Sequence, residues 1–230
     1  MTPSTLVLLD IDGTLLDTQD AGVVAYERAG ERHFGVAFSF ENVPIHGRLD
    51  HENYADAVIR HGLAVDHHAE QPAFRAAYAK ALAEIATEHG GFRACPDIEP
   101  FLAAMAADES VELGLLTGNW EETGRLKIRH AGLDDSIFRV NAFADHGEHR
   151  DELVPVAVAA FQALHGAFPA RTVVVGDTPR DVQCALAGDA IALAVATGIH
   201  GVEVLQNAGA HRVVGTLAPT HELLEFIRHG

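Results

Sequence analysis

The sequence predicts an α/β fold: a parallel sheet with helices on both faces, interrupted after its first strand by an inserted helical module. Three observations predict it. Short runs rich in Leu and Val recur and each stops at a polar cluster. The stretches between them have helical spacing. Residues 17–92 carry helical patterns throughout and no convincing buried strand.

The first run, at 6–9, is followed at once by Asp10. Runs at 111–116, 172–175 and 191–196 end in Thr117-Gly118-Asn119, Gly176-Asp177 and Thr197-Gly198. Short apolar runs without alternation suit strands buried on both faces. Residues 153–164 supply helical spacing between two of the runs. In such sheets ligands bind outside the carboxyl ends of the strands, where every polar cluster falls. Within the insertion the spacing predicts helices over 22–34, 50–60 and 72–89, with His61-Gly62 and Gly90-Gly91 as stops. The division is therefore 1–16 and 93–230 for the sheet core and 17–92 for the helical module. The tail, 216–230, reads as a last amphipathic helix.

Composition narrows the function. The chain has 230 residues, 48% of them hydrophobic, enough for a sizeable core. A net charge of −17 argues against nucleic acid as partner, because affinity for it comes from Lys and Arg neutralising phosphates. A small anionic substrate remains compatible if a local cation offsets the field. No apolar stretch predicts a membrane span. Met1-Thr2-Pro3-Ser4 lacks the pattern of a secretion signal, and Cys95 and Cys184 make no disulfide framework or zinc knuckle, so a cytoplasmic location is expected. The fifteen histidines form no metal-binding pattern and are expected at the surface. Lysine is scarce: only Lys80 and Lys127 occur. Oligomeric state is not readable.

Three motifs carry chemistry. In Asp10-Ile11-Asp12-Gly13-Thr14, alternate residues of an extended segment point the same way, so Asp10 and Asp12 can flank one reacting centre. Two close carboxylates repel unless a metal or a proton separates their roles. One can stay ionised as a nucleophile while the other carries a proton for the leaving group. In Gly176-Asp177-Thr178-Pro179-Arg180-Asp181, Asp177 stands where a strand-end carboxylate could bind a hard cation such as magnesium. Asp181 can support that site, cap the next helix, or do both. In Thr117-Gly118-Asn119, a hydroxyl and a permissive backbone precede a helix whose N-terminal amides suit a phosphate.

Together, in the chain order Asp10, Thr117, Asp177 and over most of the chain, the motifs resemble the haloacid dehalogenase superfamily of phosphohydrolases. The resemblance implies a Rossmann-like parallel core with an inserted α-helical cap, of the phosphoglycolate phosphatase and β-phosphoglucomutase type. Position by position it implies Asp10 as nucleophile, Asp12 as general acid/base and Thr117 as phosphate-binding hydroxyl, with Gly118 and Asn119 beside the substrate. It implies Mg2+ held by Asp10, Asp177 and Asp181, with the backbone carbonyl of Asp12 also facing the metal. Gly47-Arg48 falls near the usual specificity loop of such caps, making Arg48 a candidate substrate contact.

The family's usual lysine is missing from Gly147-Glu148-His149-Arg150-Asp151-Glu152-Leu153. Arg150 is the preferred replacement, able to grip a phosphate oxygen or the nucleophile bidentately. Lys127 is its rival. If its helix starts near Glu121, it lies roughly 9 Å along the axis, which favours a supporting role.

The expected function is a magnesium-dependent phosphomonoester hydrolase acting on a small phosphorylated metabolite through a phosphoaspartate intermediate. Phosphomutase action and a non-catalytic binding module on the same fold are the alternatives. Asp12 and the Asp177/Asp181 pair argue against carbon–halogen cleavage, and Lys80, deep in a helical run, against phosphonate cleavage through an imine.

Overall fold

The computed structural model describes residues 3–41, 45–218 and 220–230. Met1 and Thr2, used above in reading the N-terminus, lie outside the described residues, as do 42–44 and 219. In chain order the elements are β1 (Thr5–Leu9), β2 (Leu16–Asp17), α1 (Ala21–Phe34), α2 (Asp50–Arg60), α3 (His67–His89), β3 (Arg93–Ala94) and α4 (Ile98–Ala106). They continue with β4 (Val111–Leu116), α5 (Glu121–His130), β5 (Val140–Ala142), α6 (Leu153–His165), β6 (Arg171–Gly176) and α7 (Pro179–Ala187). The chain closes with β7 (Ile191–Val195), α8 (Val202–Asn207), β8 (Arg212–Val214) and α9 (Thr220–His229).

Six parallel strands form the sheet in the order β5-β4-β1-β6-β7-β8. Strand β1 lies in the middle and is apolar on both sides. Leu6 and Leu8 join the core on one face, Val7 and Leu9 the core on the other, as the two-residue period of a doubly covered strand requires. The register sets Leu9 beside Leu115 on β4 and Val175 on β6. Asp10, Thr117 and Asp177 therefore leave the sheet within a residue or two of one line.

The sheet is wider than the runs predicted. Strands β5 and β8 have three residues each, too short to stand out as apolar runs. Strand β6 begins at Arg171, and β7 stops at Val195, one residue short of the run. Helix α3 starts at His67, not at residue 72. The Asp66 carboxylate accepts from the amides of His68 and Ala69 at 3.0 and 3.3 Å, and Pro72 is carried inside the helix. A side-chain cap thus outweighs the proline as the start signal. None of the described helices is long and apolar enough to cross a membrane.

Helices α1–α3 lie in the chain between β2 and β3, and these two short strands pair antiparallel, Leu16 with Ala94 and Asp17 with Arg93. An aromatic group joins the helices to the sheet layer. Tyr26 on α1 stacks at 6.0 Å on Trp120, at the start of α5, and packs at 4.1 Å on Tyr78 from α3.

Candidate active site

Strand β1 delivers Asp10 into a crowded, buried setting. Its amide is bonded to the carbonyl of Val175 at 3.0 Å. Gly13 then turns the chain with φ +80°, and a Cβ there would stand 2.4 Å from an oxygen of Asp177. Only glycine lets the loop turn that way and lie against that carboxylate. The Thr14 hydroxyl, which the motif reading had not singled out, donates to Asp177 Oδ1 at 3.2 Å.

Asp10, Asp177 and Asp181 are all buried, with carboxylate oxygens within 4.8 Å of one another. Burial first, and the negative charge of Asp181 next, push Asp10 up from 3.8 to about 7, with Arg150 pulling the other way. Asp177 is also held well above the usual carboxylate range by burial and then by Asp181 and Asp10. Three crowded oxygen acids suit a hard divalent cation, and magnesium takes such donors. The Asp12 carboxylate lies apart from this group and faces Lys127 instead.

Asp181 combines the two roles weighed for it. Its Oδ2 accepts from the Thr178 amide and hydroxyl at 2.9 and 2.6 Å, closing a cap on α7 with Pro179 at its first turn. Its Oδ1 contacts Arg150. Arg150 is buried, and its Nη2 also lies 3.4 Å from Asp10 Oδ1. Its Nη1 donates to the Gly47 carbonyl, on the far side of the cleft, at 3.0 Å.

Lys127 reaches the site as well, despite its place along the helix. Its Nζ lies 2.6 Å from Asp12 Oδ2 and 2.6 Å from Asn119 Oδ1. Helix α5 starts at Glu121 as expected, but helical side chains lean back toward the N-terminus, and lysine is long enough to cover the distance. The choice between Arg150 and Lys127 thus gives way to a division: Arg150 serves the buried carboxylates and Lys127 serves Asp12. Asn119 Nδ2 donates to Asp12 Oδ2 and to the Thr117 hydroxyl, both at 2.8 Å. The Asp12 side chain remains 42% exposed, open to an incoming group, whereas Asp10 is 6% exposed.

The insertion closes the other side. A Cβ at Gly118 would stand 2.0 Å from the Arg48 carbonyl oxygen, so this glycine admits the neighbouring loop. The Gly118 carbonyl accepts from the Asp50 amide at 2.7 Å, and Asp50 Oδ2 accepts from the Trp120 amide at 2.9 Å. Arg48 lines the cavity, and its guanidinium pairs with Asp56 at 2.7 Å and with Glu52 at 3.7 Å. Asp50 and Asn53, both buried, have no local motif in the sequence; only the fold of the insertion brings them here. Of the histidines, His46 lines the cavity, while His165 bonds the buried Glu112 at 2.7 Å away from it. Asp10, Asp12, Arg48, Thr117, Gly118, Asn119, Lys127, Arg150 and Asp177 share one cavity of about 340 Å³ between sheet and insertion. Asp181 stands behind it.

A doubly covered parallel sheet with acidic groups at adjacent strand ends is an α/β fold whose candidate site lies at the carboxyl ends of its strands. The chain belongs to the haloacid dehalogenase-like hydrolases: the model of that family matches residues 5–189. No curated protein matches the sequence. Among solved structures, a hydrolase from Pseudomonas syringae is similar with a TM-score of 0.72 at 18% identity, over 99% of both chains. CbbY from Rhodobacter sphaeroides, solved with phosphate, gives 0.72 at 19%, over 94% of this chain and 95% of its own. A protein described as a candidate β-phosphoglucomutase from Bacteroides vulgatus gives 0.70 at 20%, over 99% of this chain and 90% of its own. At these identities the likeness is one of fold.

Proposed function

We propose that the chain is a magnesium-dependent phosphomonoester hydrolase that works through a phosphoaspartate on Asp10, with residues 17–92 as a cap over the site. One observation carries the reading: a buried carboxylate, Asp10, shares a cavity with an exposed one, Asp12, and each has its own cation. Paired carboxylates in different surroundings divide nucleophile from acid.

Asp10 attacks phosphorus as the bond to the leaving oxygen breaks, and Asp12 gives that oxygen a proton. Asp12 then takes a proton from the water that opens the phosphoaspartate. Lys127 and Asn119 hold Asp12 in position, and the Thr117 hydroxyl and Arg150 face the phosphoryl oxygens. Asp10, Asp177 and Asp181 would hold Mg2+, which supplies positive charge to the phosphoryl group. The docked insertion excludes bulk water. A cytoplasmic location belongs to the same proposal, and the buried thiols Cys95 and Cys184 suit a reducing compartment. The solved complex of CbbY with phosphate and the resemblance to a candidate phosphoglucomutase support phosphate chemistry.

The test is hydrolysis of phenyl phosphate with and without Mg2+, in labelled water. Turnover with label in the released phosphate is expected, together with its loss in Asp10→Asn. Full activity in that variant overturns the mechanism. A phosphoryl group returned to a sugar phosphate instead of water marks a mutase.

A further inference from the structure

One residue of the insertion grips both peptide groups that flank Asn119. The Asp50 amide donates to the Gly118 carbonyl at 2.7 Å, and Asp50 Oδ2 accepts from the Trp120 amide at 2.9 Å. The other ends of the same two peptide groups are held from the sheet layer. The Asn119 amide donates to the Thr117 hydroxyl at 3.3 Å, and the Asn119 carbonyl accepts from the Ala144 amide at 2.9 Å. Asp50 is itself fixed: it is buried, and the Tyr26 hydroxyl on α1 donates to its carbonyl at 3.0 Å. A carboxylate in the first turn of a helix ordinarily serves the positive end of that helix. This one reaches across to the loop after β4.

Asn119 is the junction that makes the grip matter. Its Nδ2 donates to Asp12 Oδ2 and to the Thr117 hydroxyl, both at 2.8 Å, and its Oδ1 accepts from Lys127 at 2.6 Å. The residue before it is Gly118, where a Cβ would stand 2.0 Å from the Arg48 carbonyl oxygen. Glycine admits the insertion there, but it also leaves the peptide group before Asn119 with the greatest rotational freedom. The Asp50 amide removes that freedom at the Gly118 carbonyl, and the Asp50 carboxylate removes it at the next amide. Such control has a large effect, because a displacement of about 1 Å in a reacting group can cost about 100-fold.

We infer that Asp50 is a positioning residue: by holding both peptide groups around Asn119 it sets the Asn119 side chain, and through it the carboxylate of Asp12 and the hydroxyl of Thr117. This rests on the reading of the chain as a phosphomonoester hydrolase with Asp12 as the acid. Asp50 acts on the chemical step and needs no contact with substrate.

Asp50→Ala tests it, since alanine keeps the backbone amide and removes the carboxylate. Release of the alcohol is followed in single turnovers of propyl phosphate and of 4-nitrophenyl phosphate with Mg2+. Propoxide needs a proton in order to leave and nitrophenolate does not, so misplacement of Asp12 slows the first ester alone. The expected loss is about 10- to 100-fold for propyl phosphate and under about threefold for the nitrophenyl ester, with KM changed less than about threefold for both. Asp50→Asn, which keeps an oxygen for the Trp120 amide, recovers much of the loss. In an Asn119→Ala background, Asp50→Ala costs less than about threefold, because the two act as a unit. Asp50→Glu, which keeps the charge and misplaces the oxygen, is the second variant, with the same split expected should Asp50→Ala prove too unstable to assay. Equal losses on the two esters, no recovery in Asp50→Asn, or the full loss persisting without the Asn119 side chain overturns the inference. If the wild-type protein releases neither alcohol, the reading of the chain as a hydrolase fails instead. Proton exchange at the Asn119 side-chain amide then judges Asp50: quickening in Asp50→Ala and its reversal in Asp50→Asn support the inference, and unchanged exchange overturns it.

Discussion

The ammonium of Lys127 lies 2.6 Å from the Oδ2 of Asp12, although the two residues are 115 positions apart in sequence. Lys127 is 5% exposed and has few other places to put its charge. Lys127→Met removes the group that holds Asp12 and leaves Asn119 Oδ1 without its donor. The expected loss is about 100-fold in kcat, the usual scale of acid–base catalysis, with a smaller change in KM. In an Asp12→Asn background the same change should cost far less, because the two act as a unit. Additive losses in that cycle would separate Lys127 from Asp12.

Arg150 grips both sides of the cleft, and a lysine at its position could not. Arg150→Lys keeps a cation near Asp10 but gives up the fork that also reaches the Gly47 carbonyl. Amide exchange in the segment from Arg48 to Asn53 is expected to quicken, and KM to rise more than kcat falls. Arg150→Met should instead lower kcat by about 100-fold or more, because it also strips charge from the buried carboxylates. Unchanged exchange in Arg150→Lys would show that the Gly47 contact does not hold the loop.

Asp50 makes stability depend on pH. Burial raises it from 3.8 to about 6, with Lys127 and the Trp120 amide opposing. Between about pH 4 and pH 6 the folded chain keeps a proton that the unfolded chain has released. Stability from this group therefore falls as pH rises through that window and levels off above it. Asp50→Asn keeps an oxygen for the Trp120 amide and cannot titrate. Urea unfolding should show a flatter profile for the variant across the window, by up to about 1.4 kcal/mol per pH unit. Parallel profiles for the two proteins would exclude Asp50 as the source.

Crowding of Asp10, Asp177 and Asp181 predicts a trade between stability and metal. With a chelator at neutral pH, Asp177→Asn is expected to unfold at a temperature no lower than the wild type, because one of three crowded acids is gone. Excess Mg2+ should raise the wild-type midpoint, through about 2.7 kcal/mol of added stability at a hundredfold excess over Kd, and leave the variant nearly unmoved. A scan of both proteins with and without Mg2+ decides it.

Gly118→Ala tests the docking of the insertion. The new Cβ would overlap the Arg48 carbonyl, so the loop must retreat and the bond from the Asp50 amide is lost. A cost of about 1–3 kcal/mol in stability is expected, with kcat/KM down at least about tenfold. Wild-type kinetics in this variant would show that the close approach is dispensable.

Much of this arrangement was legible in the sequence, for reasons that are local. Asp10, Thr117 and Asp177 each follow an apolar strand, so their placement needed only the parallel register of β1, β4 and β6. Strands β5 and β8 escaped notice because three residues make no period. Axial rise left Lys127 only a supporting role, and the backward lean of helical side chains gives it that role at Asp12. Asp50 and Asn53 could not be found at all: their place at the cavity comes from where α2 docks, and no spacing within the insertion encodes that.

The paired strands β2 and β3 set the two crossings into the insertion side by side, Leu16 against Ala94 and Asp17 against Arg93. The seventy-odd residues between them leave and rejoin the core at one seam, whose ends are already joined by backbone bonds. Exchanging that segment for another would leave the strand order and the acid cluster untouched, because closing such a short gap costs little chain entropy. The face toward Trp120, Gly118 and Arg150 would need to match. Selection can thus exchange the inserted helices without disturbing the sheet that carries Asp10.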